Sequence, residues 1–284
     1  MCILLCTVSH PKFPFILGSN RDEFFQRPTA KAEFKNESIL MPLDLAREEH
    51  GTWIGITKTG RMCVLVNYRE NVFPCQMGAI SRGAISKDFL ESLLDPLQWV
   101  EDIRFRTNNF ENVGGFSLFF GIINKSTKLA DSLYIISNRD DKIIKPFAND
   151  QTRDIFGLSN SSFFDPWPKV KHGEELMEEL IKDKNTTDIN ELIDDMFKIM
   201  SDTSDKIKPG YSMSETINEM VKYSIFVPQL TNDLPTEKEK LQGPKYGTRT
   251  QTVLVVTQLG EVVYVERDVL TNTTQEYRFV LEMV

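Results

Sequence analysis

Apolar runs of strand length open and close this chain, and helical spacing fills much of the middle. Residues 2–9 (CILLCTVS), 13–19 (FPFILGS), 52–58 (TWIGITK) and 62–68 (MCVLVNY) alternate or stay apolar in the manner of strands. His10-Pro11-Lys12 supplies a turn between the first two, which makes them a hairpin. Ser81 to Leu94 carries Ile85, Phe89 and Leu93 at four-residue steps, a helix that stops at Asp95-Pro96. Further strands are expected near 115–123, 132–137 and 154–158. Between Pro166 and about Thr203, Leu176, Leu180, Leu192, Met196 and Ile199 mark two amphipathic helices with an acidic outer face, broken near Asn185. Residues 203–245 read as a long connection with one short strand at 223–227. Strands return at 251–257, 262–266 and 276–283. Strands at both ends with helices between them predict an α+β fold, two sheets enclosed by helices in a single domain over 1–284.

Composition narrows the class. Of 284 residues, 40% are hydrophobic and 26% charged, enough for a sizeable core. A net charge of -8 argues against nucleic acid or an anionic membrane as the main partner. The cysteines, Cys2, Cys6, Cys63 and Cys75, form no C-x-x-C pair, haem attachment signature or zinc spacing, so no metal site is expected. MCILLCTVSH has no basic leader and no cleavage site, and its apolar run is too short to span a bilayer. A reduced compartment without disulfides and no transmembrane segment are the expectations.

Two places could carry chemistry. Removal of Met1 would leave Cys2 with a thiol and a free α-amine, whose ordinary pKa of about 7.7–8.0 suits it to take the thiol proton. On MCILLC alone, Cys2 reads far more readily as the first core residue of a strand. Gly18-Ser19-Asn20-Arg21-Asp22-Glu23-Phe24 ends the second strand, and the hairpin sets it beside Cys2. Strand alternation gives Asn20 and Asp22 one face, Arg21 and Glu23 the other. A carboxylate there can hold the amine, and Asn20 can add a hydrogen bond. A strand-end charge such as Arg21 is expected to be partly exposed. Arg21, Arg27, Arg69, Arg82 and Arg249 all lie in or beside polar strand-end patterns of an acidic chain. If several converge, they bind an anionic group. Asn20, Arg21, Glu23, Arg69 and Arg82 are therefore the ligand-binding candidates.

The N-terminal Met-Cys-Ile and the stretch Asn20-Arg21-Asp22-Glu23-Phe24 followed by Arg27-Pro28 open a specific series of motifs. Gly51-Thr52-Trp53-Ile54-Gly55, Asn67-Tyr68 and Ser81-Arg82-Gly83 continue it. Gly157-Leu158-Ser159-Asn160, Pro166-Trp167 and Tyr246-Gly247-Thr248-Arg249-Thr250 complete it. In this order the set resembles the transport and Golgi organisation 2 family, also called NRDE, over essentially the whole chain. The resemblance implies an N-terminal nucleophile hydrolase-like fold, a four-layer αββα sandwich. It also implies a role in haem trafficking or in acyl-CoA and lipid homeostasis, in cytoplasm, mitochondrion or Golgi. No cofactor is implied with certainty. Haem enters as a ligand, for which Cys2, His10, His50, His172 or Met62 could supply the axial group.

More distantly the chain is similar to choloylglycine hydrolases and penicillin V acylases, which cut amides with an N-terminal cysteine. That resemblance puts the nucleophile on Cys2 and the catalytic aspartate on Asp22. It puts the oxyanion asparagine on Asn67, a later strand-end asparagine on Asn160 and the C-terminal arginine on Arg249. Where those enzymes carry an active-site arginine this chain has Ser19, and Arg21 points to the same side two residues on. Two functions follow: a pocket that binds or carries an amphipathic anion, or a Cys2-dependent thiol amidohydrolase acting on a linear amide.

Overall fold

The computed structural model describes residues 2–69, 78–123, 132–147, 154–182, 188–212, 220–231 and 243–282. Its contacts form two compact units interleaved along the chain. Unit 1 comprises Met1–Arg27, Asp154–Ser159 and Phe163–Arg278, and unit 2 comprises Pro28–Arg153, Asn160–Ser162 and Phe279–Val284. Each unit has an antiparallel sheet and helices, so the fold class is α+β.

In unit 1 the first strands are β1 (Cys2–Thr7) and β2 (Phe15–Phe24), the expected hairpin. β2 runs five residues beyond the apolar stretch, because its polar end pairs with a strand from the far end of the sequence. The remaining strands are β10 (Ile155–Leu158), β11 (Leu230–Thr231), β12 (Lys245–Val256), β13 (Glu261–Asp268) and β14 (Thr273–Val280). Their order is β10-β1-β2-β12-β13-β14, with β11 added to β12. Helices α3 (Pro168–Lys182) and α4 (Ile189–Met200) cover one face of this sheet. Ile3, Leu5, Ile16, Val253 and Val263 of that face pack against Val170, Met177, Leu192 and Met196. Two glycines let α3 lie close. A Cβ on Gly173 would meet Leu5 at 2.7 Å, and one on Gly157 would meet Val170 at 2.7 Å.

Unit 2 is a seven-stranded meander in chain order: β3 (Thr29–Lys35), β4 (Ile39–Asp44), β5 (Ile54–Thr57), β6 (Arg61–Asn67), β7 (Phe116–Ile122), β8 (Leu133–Ser137) and β9 (Asp140–Ile144). Helices α1 (Arg82–Glu91) and α2 (Pro96–Arg106) bury Phe89, Trp99 and Ile103 against Cys63, Phe116 and Phe120. Asp95-Pro96 is a start as well as a stop. The Asp95 side chain accepts from the Leu97 amide and Pro96 occupies the first turn of α2, where no amide hydrogen is needed.

The strand expected at 223–227 is absent. Its polar groups are committed to other partners: Ser224 Oγ donates to the Phe226 carbonyl at 2.6 Å, and the Ile225 carbonyl accepts from Asn20 Nδ2 at 2.9 Å. No helix among the described residues is long and apolar enough to cross a membrane.

Candidate functional site

The register of β1 against β2 sets Cys2 directly opposite Arg21, so the two side chains share a sheet face. Cys2 is 8% exposed, its carbonyl accepts from Ser159 Oγ at 2.7 Å, and burial pushes its thiol above the ordinary value. Arg21 is only 4% exposed, which corrects the expectation of a partly exposed strand-end charge. Its Nη2 lies 3.5 Å from Glu23 Oε2, and Arg27 Nε approaches the same oxygen at 3.5 Å.

Arg249 joins this group through an irregularity in the sheet. Thr248 pairs with Asp22 and Thr250 with Arg21, so Arg249 is the extra residue of a β-bulge. A bulge re-aims the side chain at its centre. Here the Arg249 guanidinium donates through Nη1 to the Arg27 carbonyl. Arg21, Arg27, Arg249 and Glu23 thus form one connected cluster, drawn from β2, the turn after it and β12.

Asp22 and Asn20 point to the opposite, helix-covered face. Thr248 Oγ1 donates to Asp22 Oδ1 at 2.7 Å and itself accepts from the Val227 amide at 2.8 Å. Tyr246 donates its hydroxyl to the Asp22 carbonyl at 3.2 Å. Asp22 Oδ2 faces Lys169 Nζ across 4.0 Å, with neither side chain exposed at all. Burial raises the Asp22 carboxyl and lowers the Lys169 ammonium, and each partner's charge opposes the shift of the other. Lys169 carries no sequence signal. It follows Pro166-Trp167-Pro168 at the start of α3, on the face that carries Gly173 and Met177, and the seating of α3 on β1 and β10 buries it.

Asn20 serves the fold. Its Nδ2 donates to the Met200 carbonyl at 2.7 Å and the Ile225 carbonyl at 2.9 Å, and its Oδ1 accepts from Gln251 Nε2 at 3.3 Å. Met200 ends α4, where carbonyls lack helical partners, so Asn20 caps that helix from below. It was expected to bind ligand, yet the polar atoms of its side chain are engaged here.

The other named residues belong to unit 2, where they gather around the end of β6. Asn160 Nδ2 donates to the Asn67 carbonyl at 2.5 Å, and the Asn160 carbonyl accepts from the Arg69 amide at 2.9 Å. Arg82 Nη1 donates to the Gly115 carbonyl at 3.4 Å, which also accepts from the Tyr68 amide at 2.8 Å. Of the histidines able to bind haem iron, His10 is turned inward, its Nδ1 accepting from the Lys12 and Phe13 amides at 3.2 Å. His172 Nε2 lies 3.1 Å from Asp202. Cys2, Cys6 and Cys63 are buried thiols in no disulfide, and Cys75 lies outside the described residues.

The fold and site therefore define an α+β protein with a buried thiol at its second residue, flanked by an arginine cluster and a buried acid–lysine pair. The sequence profile of the transport and Golgi organisation 2 family matches residues 1–271, and the chain belongs to that family. It is 30% identical to an uncharacterised protein of Saccharomyces cerevisiae over 98% of this chain and 95% of that one. It is 28% identical to the Homo sapiens transport and Golgi organization protein 2 homolog, over 99% of this chain and 100% of the other. Solved structures similar to it include a Caenorhabditis elegans N-acylethanolamine-hydrolyzing acid amidase ortholog, at 13% identity and TM-score 0.49, covering 90% of this chain and 92% of that one. A mutant conjugated bile acid hydrolase of Clostridium perfringens matches at 10% identity and TM-score 0.44, covering 100% and 98%. A likeness that loose does not say which side chains do chemistry.

Proposed function

We propose that this chain binds and carries an amphipathic anion, with the acyl-CoA class as first choice and haem as second. The observation that carries this reading is the cluster of Arg21 and Arg27 on Glu23, with Arg249 donating to the Arg27 carbonyl. Guanidinium groups held together in partly desolvated surroundings suit phosphate and carboxylate, which they grip with two parallel bonds. An acyl-CoA needs only that cluster and an apolar neighbour. Haem needs an axial ligand as well, and His10 Nδ1 and His172 Nε2 are engaged by backbone amides and Asp202 respectively. The family's name is consistent with a Golgi-associated setting.

The runner-up is a thiol amidohydrolase using Cys2, with Asp22 and Arg249 from the same unit. Its weakness is the thiol itself: burial raises Cys2 away from the thiolate that nucleophilic attack needs. The deciding experiment titrates the purified protein with palmitoyl-CoA by native mass spectrometry and with hemin by absorbance, alongside Arg21→Ala and Arg27→Ala variants. Retention of palmitoyl-CoA that falls about tenfold or more in the variants supports the carrier. Absence of retention of either compound, or retention indifferent to both arginines, removes it.

A further inference from the structure

Lys169 is the second residue of α3 and is completely buried, although lysine is among the residues least often found in a protein interior. Its Nζ finds no hydrogen-bond acceptor among the described residues. What it has is the Asp22 carboxylate at 4.0 Å, too far for a hydrogen bond, and the Trp167 ring with its centroid at 5.7 Å. A buried ammonium with so little compensation is costly to the fold, and a leucine or methionine would fill the same space without that cost. A charge kept at such a place points to a task for the charge.

The task is set by where Asp22 sits. It lies at the end of β2, next in sequence to Arg21, the cross-strand partner of Cys2. Lys169 of α3 and Thr248 of β12 face Asp22, while the chain's α-amino group, Glu23 of β2 and the Cys2 thiol on the other sheet face couple to it by charge alone. Thr248 fixes one carboxylate oxygen by a hydrogen bond. The other is turned toward the ammonium. We propose that Lys169 is a positioning residue of the Cys2 site, holding Asp22 as an oriented anion and so setting the charge that Cys2 experiences. The proposal rests on Asp22 being part of the Cys2 site and is indifferent to the ligand.

The test reads the protonation of Asp22 directly in the ligand-free protein, so its outcome is separate from that of the ligand titration. Infrared difference spectra at pH 7 compare the wild type, Asp22→Asn, Lys169→Met, Lys169→Arg and the Asp22→Asn/Lys169→Met double variant. Expected are a carboxylate in the wild type and in Lys169→Arg, and a protonated carboxyl band in Lys169→Met that the double variant lacks. A parallel readout is the pH midpoint of Cys2 labelling by a thiol reagent, followed on the N-terminal peptide by mass spectrometry. Asp22→Asn should lower that midpoint when Lys169 is present and leave it unmoved in the Lys169→Met background, where residue 22 is already neutral. A protonated band in the wild type that Asp22→Asn abolishes overturns the proposal. An ionised Asp22 in folded Lys169→Met overturns it too. Should Lys169→Met not fold, the wild type against Asp22→Asn still decides, because an acid rather than a carboxylate at residue 22 sinks the idea and a carboxylate upholds it.

Discussion

Asp22 and Lys169 face each other across 4.0 Å inside unit 1, both without solvent exposure. A pair of this kind adds little net stability over an apolar pair of the same shape, yet breaking it by removing one partner strands a charge. Lys169→Met should therefore cost about 3–5 kcal/mol at neutral pH, and the Asp22→Asn/Lys169→Met variant should recover much of it. The sign with pH follows from Asp22, whose carboxyl burial raises. With its folded pKa above the unfolded value of about 3.9, the native state binds more protons in that window. The stability of Lys169→Met should thus fall as pH rises through it. Urea unfolding of the three variants between acid and neutral pH measures this, and a pH-independent deficit would contradict it.

Arg21 is buried and ion-paired, so its replacement should be felt in the fold as well as in binding. Arg21→Ala is expected to lose about 1–3 kcal/mol of stability and roughly tenfold or more in affinity for palmitoyl-CoA. Arg27 has 17% of its side chain exposed, so Arg27→Ala should cost less stability for a similar loss of affinity. Calorimetric melting beside the ligand titration separates the two effects. An Arg21→Ala protein that melts like the wild type would show that its ion pair contributes nothing.

Asn20→Ala should behave in the opposite way. It takes the Asn20 donor from the Ile225 carbonyl and one of two from the Met200 carbonyl, which still accepts from Gln251 Nε2 at 2.8 Å, at about 1–3 kcal/mol. Ligand affinity should be unchanged, because the side chain faces α4 and not the arginine cluster. Weakened palmitoyl-CoA binding with an unaltered melting temperature would return Asn20 to the ligand site.

His10 makes stability depend on pH near the acid side of neutrality. Burial, then the neighbouring Lys12, lower its pKa below the ordinary value, and its Nδ1 accepts from two backbone amides. The unfolded chain thus binds more protons between the folded pKa and about 6.5. His10's contribution is complete above that upper value and is lost as pH falls toward the folded pKa. His10→Ala should unfold about 1–2 kcal/mol more easily at pH 7.5 and show a flatter pH profile below it. A profile as steep as the wild type's would mean that another group titrates there.

Much of the fold is local in origin and was legible as such. Period and apolar runs located the β1–β2 hairpin, β6, β7, α1 and the pair α3 and α4 within a few residues. What escaped had weak local patterns. β3 buries only Ala32 as its core residue and stands at the sheet edge, and β4 carries Pro42 at an irregularity in its pairing with β3. The polar stretch Asn20 to Glu23 and its approach to Cys2 could also be read, because hairpin register and strand alternation follow from spacing alone.

The roles within that stretch could not be read, because they depend on partners up to about 230 residues away. Asn20 reads as a ligand group until α4 ends above it. Arg249 turns toward Arg27 only because the strand carrying it bulges between Thr248 and Thr250 when it pairs with β2. Lys169 stands at the first turn of α3, and its pairing with Asp22 exists only once two glycines let α3 settle onto β1 and β10. The sequence by itself determined which residues are chemically able and which strands present them. The tertiary structure decided which charges are buried together, since desolvation and charge pairing arise between segments distant along the chain and leave no trace in the local pattern of either.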